Sequence, residues 1–267
     1  MAVSMSELLI DLRAESAELT AMIRTLDAAG WELATPAKGW AVRDQISHLA
    51  WFDDAATTAV TDAEGFRAAL PALTARGDSA VDEIAQAARS LSPEQVLDWF
   101  RTARARSLDA FGGLAPKTRL PWYGPDLSAM SFVTARLMET WAHGQDVADA
   151  LGIARVPTAR LRHVADLGVR AMPYGFTVRG MDAPKDPVRV ELALPDGTPW
   201  SRGPEGAADL VRGPVLDFCL LVTQRCSLAD TSLEVRGDTA AAWTAVAQAF
   251  AGPPGDGRPP GLARALT

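Results

Sequence analysis

Apolar residues recur every three or four positions through most of the first 150 residues, the period of a helix with one buried face. Leu8, Leu9, Leu12, Leu19, Ile23 and Leu26 trace one such face, predicting a first helix capped by Ser6 and stopped at Gly30. Val42, Ile46, Leu49 and Phe52 mark a second, opening after Gly39-Trp40 and running to about residue 61. Segments 62–70 and 78–90 are shorter helical stretches. Ser92-Pro93-Glu94-Gln95 is a strong start signal, because proline at the first helical position forfeits no hydrogen bond. That helix reaches Phe111 and ends at Gly112-Gly113. A loop rich in Pro and Gly follows at 115–127, with Trp122 and Tyr123 in its middle. Ser128 then caps a helix that is apolar on more than one side (Val133, Leu137, Met138, Trp141, Val147), as expected of a central bundle element. Gly152 and Pro157 end it.

After one more helix, at about 158–172, the period changes. Val188, Val190, Leu192 and Leu194 alternate with other residues, and Pro195-Asp196-Gly197 supplies a turn, so a hairpin is expected. Short strands at 209–211 and 232–235 and helices at 216–222 and 239–250 complete the pattern. The segment 252–260 is too rich in Gly and Pro for regular structure. The fold class is therefore α+β: a helical bundle over residues 1–155 and a smaller α+β domain over 156–267.

With 267 residues, 48% of them hydrophobic, and a mean hydropathy of +0.02, the chain can build real cores and is too apolar for disorder. A net charge of -7 and a pI near 5.0 argue against nucleic-acid and anionic-membrane partners, leaving a small molecule as the expected one. No stretch has the pattern of a transmembrane span or a secretory leader. The only two cysteines, Cys219 and Cys226, imply no disulfide framework. A cytoplasmic protein is expected. Apolar bundle faces can pair two copies as a homodimer, though nothing in the sequence demands it.

The chemistry concentrates in few residues. Glu139 and His143 lie four apart, which stacks a carboxylate and an imidazole on one helical face. His48, another of the three histidines, lies on another predicted helix. Two imidazoles and a carboxylate are three ligands with one position open, the usual arrangement of a catalytic zinc site. Asp146, a turn beyond His143, and Asp44, a turn before His48, are placed to orient the imidazoles by accepting their second N–H. Arg136, a turn before Glu139, is placed to meet an anionic substrate group at a pocket mouth, or simply to sit on the surface. Spacing alone leaves two plainer readings open, a solvated Glu–His pair and a hydrogen-bonded core histidine. Phosphate loops, zincin motifs and nucleophile elbows are absent from the sequence.

The stretch GWAVRDQISHL at 39–49 resembles the segment opening the second helix in the mycothiol-dependent maleylpyruvate isomerase family of the DinB-like superfamily. ETWAHGQDVADALG at 139–152 is similar to that family's second signature, and LEVRGD at 233–238 with the final helix looks like its C-terminal domain. The resemblance implies a DinB-like four-helix bundle holding a divalent metal, usually zinc, through His48, Glu139 and His143. It further implies mycothiol, a low-molecular-weight thiol, as cosubstrate, its sulfur activated for isomerisation or S-transfer on a small electrophile. The family's substrate-binding arginine in the C-terminal domain has Arg225 as its candidate here. The segments 122–135, 218–225 and 247–258 look more like an uncharacterised actinobacterial branch than the isomerase itself. Two alternatives stand beside this reading: a metal-dependent lyase, hydrolase or cyclase of specialised metabolism that uses no thiol, and a non-catalytic metal- or ligand-binding protein.

Overall fold

The computed structural model describes residues 3–261, the side chain of residue 78 excepted. The chain divides into two compact units, Met1–Ile153 and Ala154–Thr267. Four long helices build the first: α1 (Met5–Ile23), α3 (Val42–Thr61), α6 (Pro93–Gly112) and α7 (Ala129–Leu151). Shorter helices α2 (Ala28–Trp31), α4 (Ala63–Thr74) and α5 (Ala80–Ala87) fill the connections, and a two-residue ladder pairs β1 (Arg119–Leu120) with β2 (Leu127–Ser128). α3 packs against α6 and α7, and α1 against α7. Leu19, Ile23, Val42, Ile46, Leu49, Phe100 and Val147, all fully buried, form the core where they meet. No helix among the described residues is long and apolar enough to cross a membrane.

The caps explain the boundaries. Ser92 accepts from the Gln95 amide with Pro93 in the first turn, and Ser128 accepts from the Ser131 amide. α7 closes on Gly152, whose φ of +64° is the left-handed conformation glycine adopts without steric cost. The first helix differs from expectation at both ends. Its cap is Ser4, because Glu7 lies three residues on and returns a bond to the Ser4 amide; Ser6 has Leu9 in that place. It stops at Ile23, since the Asp27 carboxylate takes the Gly30 amide at 2.8 Å and starts the separate turn α2.

One polar layer crosses this apolar bundle. Asp53 on α3, with no exposed surface, accepts from Arg104 Nε on α6 at 2.7 Å and from Arg136 Nε on α7 at 3.0 Å. Arg104 also donates to Ser16 Oγ on α1 and to Thr140 Oγ1 on α7, and Arg136 donates to the Leu49 carbonyl at 3.2 Å. Buried Glu15 adds a second negative charge near Arg104. Every long helix is thereby tied to one layer.

The second unit holds a four-stranded sheet in the order β4 (Pro199–Arg202), β3 (Val188–Ala193), β5 (Asp209–Pro214), β6 (Glu234–Arg236). The expected hairpin joins β3 and β4, while β5 pairs with β3 in parallel. Around the sheet lie α8 (Leu161–Arg170), α9 (Met172–Thr177), α10 (Val215–Val222) and α11 (Asp238–Val246). α8 and α10 approach closely at Gly168, where a Cβ would stand 2.8 Å from Val222 Cγ2. α11 is shorter than the pattern suggested: the Ala249 amide turns away to bond the Val222 carbonyl at 2.8 Å.

Asp53→Ala leaves two buried guanidiniums without their carboxylate and is expected to lower stability by about 3–5 kcal/mol. Asp126→Ala removes the partner of exposed Arg67 and is expected to cost under ~1 kcal/mol. Urea unfolding of the full chain, followed by circular dichroism, compares them; equal midpoints would deny the Asp53 layer its structural role.

Candidate metal centre

α3 and α7 carry the three candidate ligands to one point. His143 Nε2 lies 3.1 Å from Glu139 Oε2, and His48 Nε2 lies 4.0 Å from the same oxygen. The two imidazole centroids are 4.4 Å apart, and one donor atom from each of the three residues lies within 4.8 Å of the others. Donors around a tetrahedral zinc, each ~2.1 Å from the ion, stand roughly 3.4 Å apart. The observed separations straddle that value, so the donor set fits a metal ion in both chemistry and size. The side chains are 11% (His48), 22% (Glu139) and 12% (His143) exposed, so the cluster is largely buried but keeps some surface in contact with solvent.

Charge at the cluster is set by its neighbours. Burial pushes the Glu139 carboxyl up. The hydrogen bond from His143 and the positive charges of His143, His48 and Arg136 outweigh burial and hold it at about 2. Glu139 is thus an anion throughout the neutral range.

The orientation of His143 comes from a residue the sequence reading passed over. His143 Nδ1 faces Gln45 Oε1, the Gln45 amide nitrogen donates to Thr35 Oγ1 at 2.8 Å, and Thr35 Oγ1 donates to the Trp40 carbonyl at 2.9 Å. Since Thr35 offers its oxygen to the amide nitrogen, the Gln45 carbonyl is left for His143. Nδ1 then carries a proton donated to Gln45, and Nε2 is the nitrogen that faces Glu139 and would ligate a metal. Gln45 precedes His48 by three residues, one helical turn, which was the signal available for finding it.

Other expectations are corrected here. Arg136 is at no pocket mouth: it is 3% exposed, with its guanidinium bonded to Asp53 and Leu49. A cation placed a turn before Glu139 faces the bundle's interior, and only the Asp53 carboxylate makes that tolerable. Asp44 is engaged elsewhere, accepting a bidentate pair from Arg89 at 2.9 and 2.7 Å and the Ala41 amide at 2.8 Å. It holds the start of α3 in place. Asp146 is buried on α7, one turn beyond His143, while the group at His143 Nδ1 is Gln45. Arg225 lies in the second unit, half-buried, and donates to the Thr223 carbonyl.

Aromatic rings surround the ligands. Trp40 stacks on His143 at 6.1 Å and tilts against His48 at 5.3 Å, its indole N–H fixed by Asp82 at 2.8 Å. Phe52, one turn past His48, touches it at 4.6 Å and in turn meets Trp122 and Tyr123 of the β1–β2 loop. Burial pushes the Tyr123 hydroxyl above its usual range, against the opposing charge of Arg136, so it is a neutral phenol.

The mycothiol maleylpyruvate isomerase N-terminal domain family matches residues 12–148, just over half of the chain and all three candidate ligands. The chain belongs to this family. Uncharacterised proteins from two strains of Mycobacterium tuberculosis are each 47% identical over 248 residues, covering 93% of this chain and 96% of the relative. The crystal structure of the mycothiol-dependent maleylpyruvate isomerase shares the fold with a TM-score of 0.58 at 17% identity, over 85% of this chain and 91% of that one. A histidine-to-alanine variant of that enzyme superposes with a TM-score of 0.57, at 17% identity over 84% and 90% of the two chains. The family and the α+β class expected from the sequence are thus both present.

Gln45→Leu removes the acceptor that selects the His143 tautomer. Long-range proton–nitrogen spectra of histidine-labelled protein, with only three histidines to assign, are expected to show Nδ1–H for His143 in the native chain and a mixture in the variant. An unchanged tautomer would dismiss the Gln45 chain.

Proposed function

We propose that His48, Glu139 and His143 hold one divalent metal ion, zinc by the character of the donors, in an enzyme that uses a low-molecular-weight thiol. The reaction class is isomerisation or S-transfer on a small electrophile, with mycothiol as the thiol. The observation that carries the proposal is the convergence of two imidazoles and an ionised carboxylate within 4.8 Å in a chain of the mycothiol maleylpyruvate isomerase family. When bound, a zinc ion would hold a coordinated thiol deprotonated, supplying a thiolate nucleophile at neutral pH.

The chain's own residues prepare that chemistry. Glu139 supplies negative charge without first releasing a proton. Gln45 fixes His143 with its Nε2 toward the centre. Trp40 flanks both imidazoles and Phe52 flanks that of His48, which limits water around them and strengthens electrostatic interactions at the site. Arg136 contributes its field to Glu139 while its guanidinium stays bound to Asp53.

Elemental analysis of the purified chain is expected to give about one zinc per chain, lost in His48→Ala and in Glu139→Ala. Turnover of an electrophile such as maleylpyruvate is expected only with mycothiol present. Zinc bound with thiol-independent turnover would favour the lyase or hydrolase alternative, and failure to bind added zinc would refute the proposal. The pH dependence gives a further check. Glu139, held at about 2, has no proton to lose at neutral pH. Infrared spectra of the metal-free chain are expected to show its carboxylate ionised well into the acid range, and a protonated Glu139 carboxyl band near neutrality would contradict this.

A further inference from the structure

α7 is buried along nearly its whole length. Between residues 131 and 148 the positions with appreciable exposure are Ser131, Ala135, Glu139 and His143, each four residues from the next. Such a set forms one continuous ridge row, slanting across the helix. The accessible row thus continues from the ligands for two turns past Glu139, about 12 Å at 1.5 Å per residue. Beyond Glu139 its side chains are small, so the row is a floor and not a ridge of contacts.

Rings lie beside this stretch of α7: Trp122 packs on Phe132 at 4.4 Å, and the Arg136 guanidinium lies 6.0 Å from the Phe52 ring centre. Phe52 meets His48 at one end and Trp122 and Tyr123 at the other, with centroid separations of 4.6, 6.0 and 5.7 Å. Trp51 stacks on Tyr123 at 6.2 Å. Behind them Phe66, Phe111 and Phe132 are buried and complete the packing. Trp51, Phe52, Trp122 and Tyr123 are instead only partly buried. Four large rings left partly in water, contiguous with each other and with a ligand histidine, form a binding wall of the kind that takes apolar ligands. The described wall carries no charge of its own: Tyr123 is neutral, and Arg136 beneath it is bonded to Asp53.

We propose that the electrophile accepted here carries a flat apolar body, an aromatic or conjugated group, lying along Ala135 and Ser131 beneath Phe52, Trp122 and Tyr123. Its reacting end is then at Glu139 and the two histidines. The inference rests on the metal reading above and narrows its substrate class from any small electrophile to a planar apolar one. Phe52, Trp122 and Tyr123 are its specificity-determining residues.

Hydroxamates test the wall separately from the metal, because acetohydroxamate and 2-naphthohydroxamate share one zinc-binding head and differ in body. Zinc content of the full chain is measured first. By calorimetry on zinc-loaded protein, the naphthyl compound is expected to bind roughly 100-fold more tightly, the order given by burying two fused rings against aromatic side chains. Trp122→Ala and Tyr123→Ala should each reduce that preference about tenfold while leaving acetohydroxamate binding unchanged, which also reports that each variant is folded and loaded. Equal affinity for the two compounds, or a preference surviving both substitutions, would overturn the flat-body inference and leave the metal site standing. A chain that takes up no zinc fails before any hydroxamate is added, and that result overturns the metal reading and this inference with it.

Discussion

The carboxylate of Asp53 holds two guanidiniums in the middle of an apolar bundle, and the placement of everything else in the helical unit depends on it. A lone buried arginine would be intolerable, and two would repel. Shared between Nε atoms at 2.7 and 3.0 Å, one carboxylate makes both tolerable, with Glu15 supplying the second negative charge. The geometry of such contacts is narrow, because guanidinium and carboxylate are planar and their hydrogen bonds are directional. Rotation or sliding of α3, α6 or α7 would break several of them at once. Hydrophobic packing alone tolerates such slips more readily.

That rigidity reaches the ligands through short stretches of helix. His48 is five residues before Asp53 on α3, and Glu139 is three residues after Arg136 on α7. Fixing Asp53 against Arg136 therefore also fixes His48 against Glu139. The same arginine lowers the carboxyl of Glu139 through its field. One ion layer thus sets the position of the carboxylate on which the site turns and adds to the histidines' hold on its ionisation. The chain from His143 through Gln45 and Thr35 to the Trp40 carbonyl does the equivalent work for the third ligand.

What the sequence reveals of this follows the range of each interaction. Ser128, Ser92-Pro93 and Gly152 act within one turn, so their roles are readable from neighbouring residues. The Glu139–His143 spacing is likewise local, and it pointed to chemistry because the histidines are so few. Arg136 illustrates the limit. A charged residue on a helix is ordinarily solvated, and only Asp53, 83 positions away, reverses that expectation. Asp44 was misassigned for the same reason: its partner Arg89 is 45 residues distant. The parallel pairing of β3 with β5 was hidden because β4 intervenes, and alternation along a strand says nothing of its neighbour's direction. The first helix was misjudged for a different cause. Leu26 continues the apolar period past Ile23, yet a single carboxylate, Asp27, ends the run by taking a backbone amide.

The divided organisation of the site bears on how one fold can serve different substrates. The ligands and the ion layer are mutually constrained: altering any one leaves a buried charge or an idle donor. The rings of Phe52, Trp122 and Tyr123 and the small side chains of Ala135 and Ser131 carry no such obligation, since exchanging them changes shape and apolar area without stranding a charge. Two chains that are 17% identical over the superposed structures can therefore keep one bundle while differing wherever the reacting molecule's body lies. In this protein that region is aromatic and uncharged within the helical unit. Substrate choice is on this account a property of the α7 floor and the β1–β2 loop, physically separable from the three residues that would hold the metal.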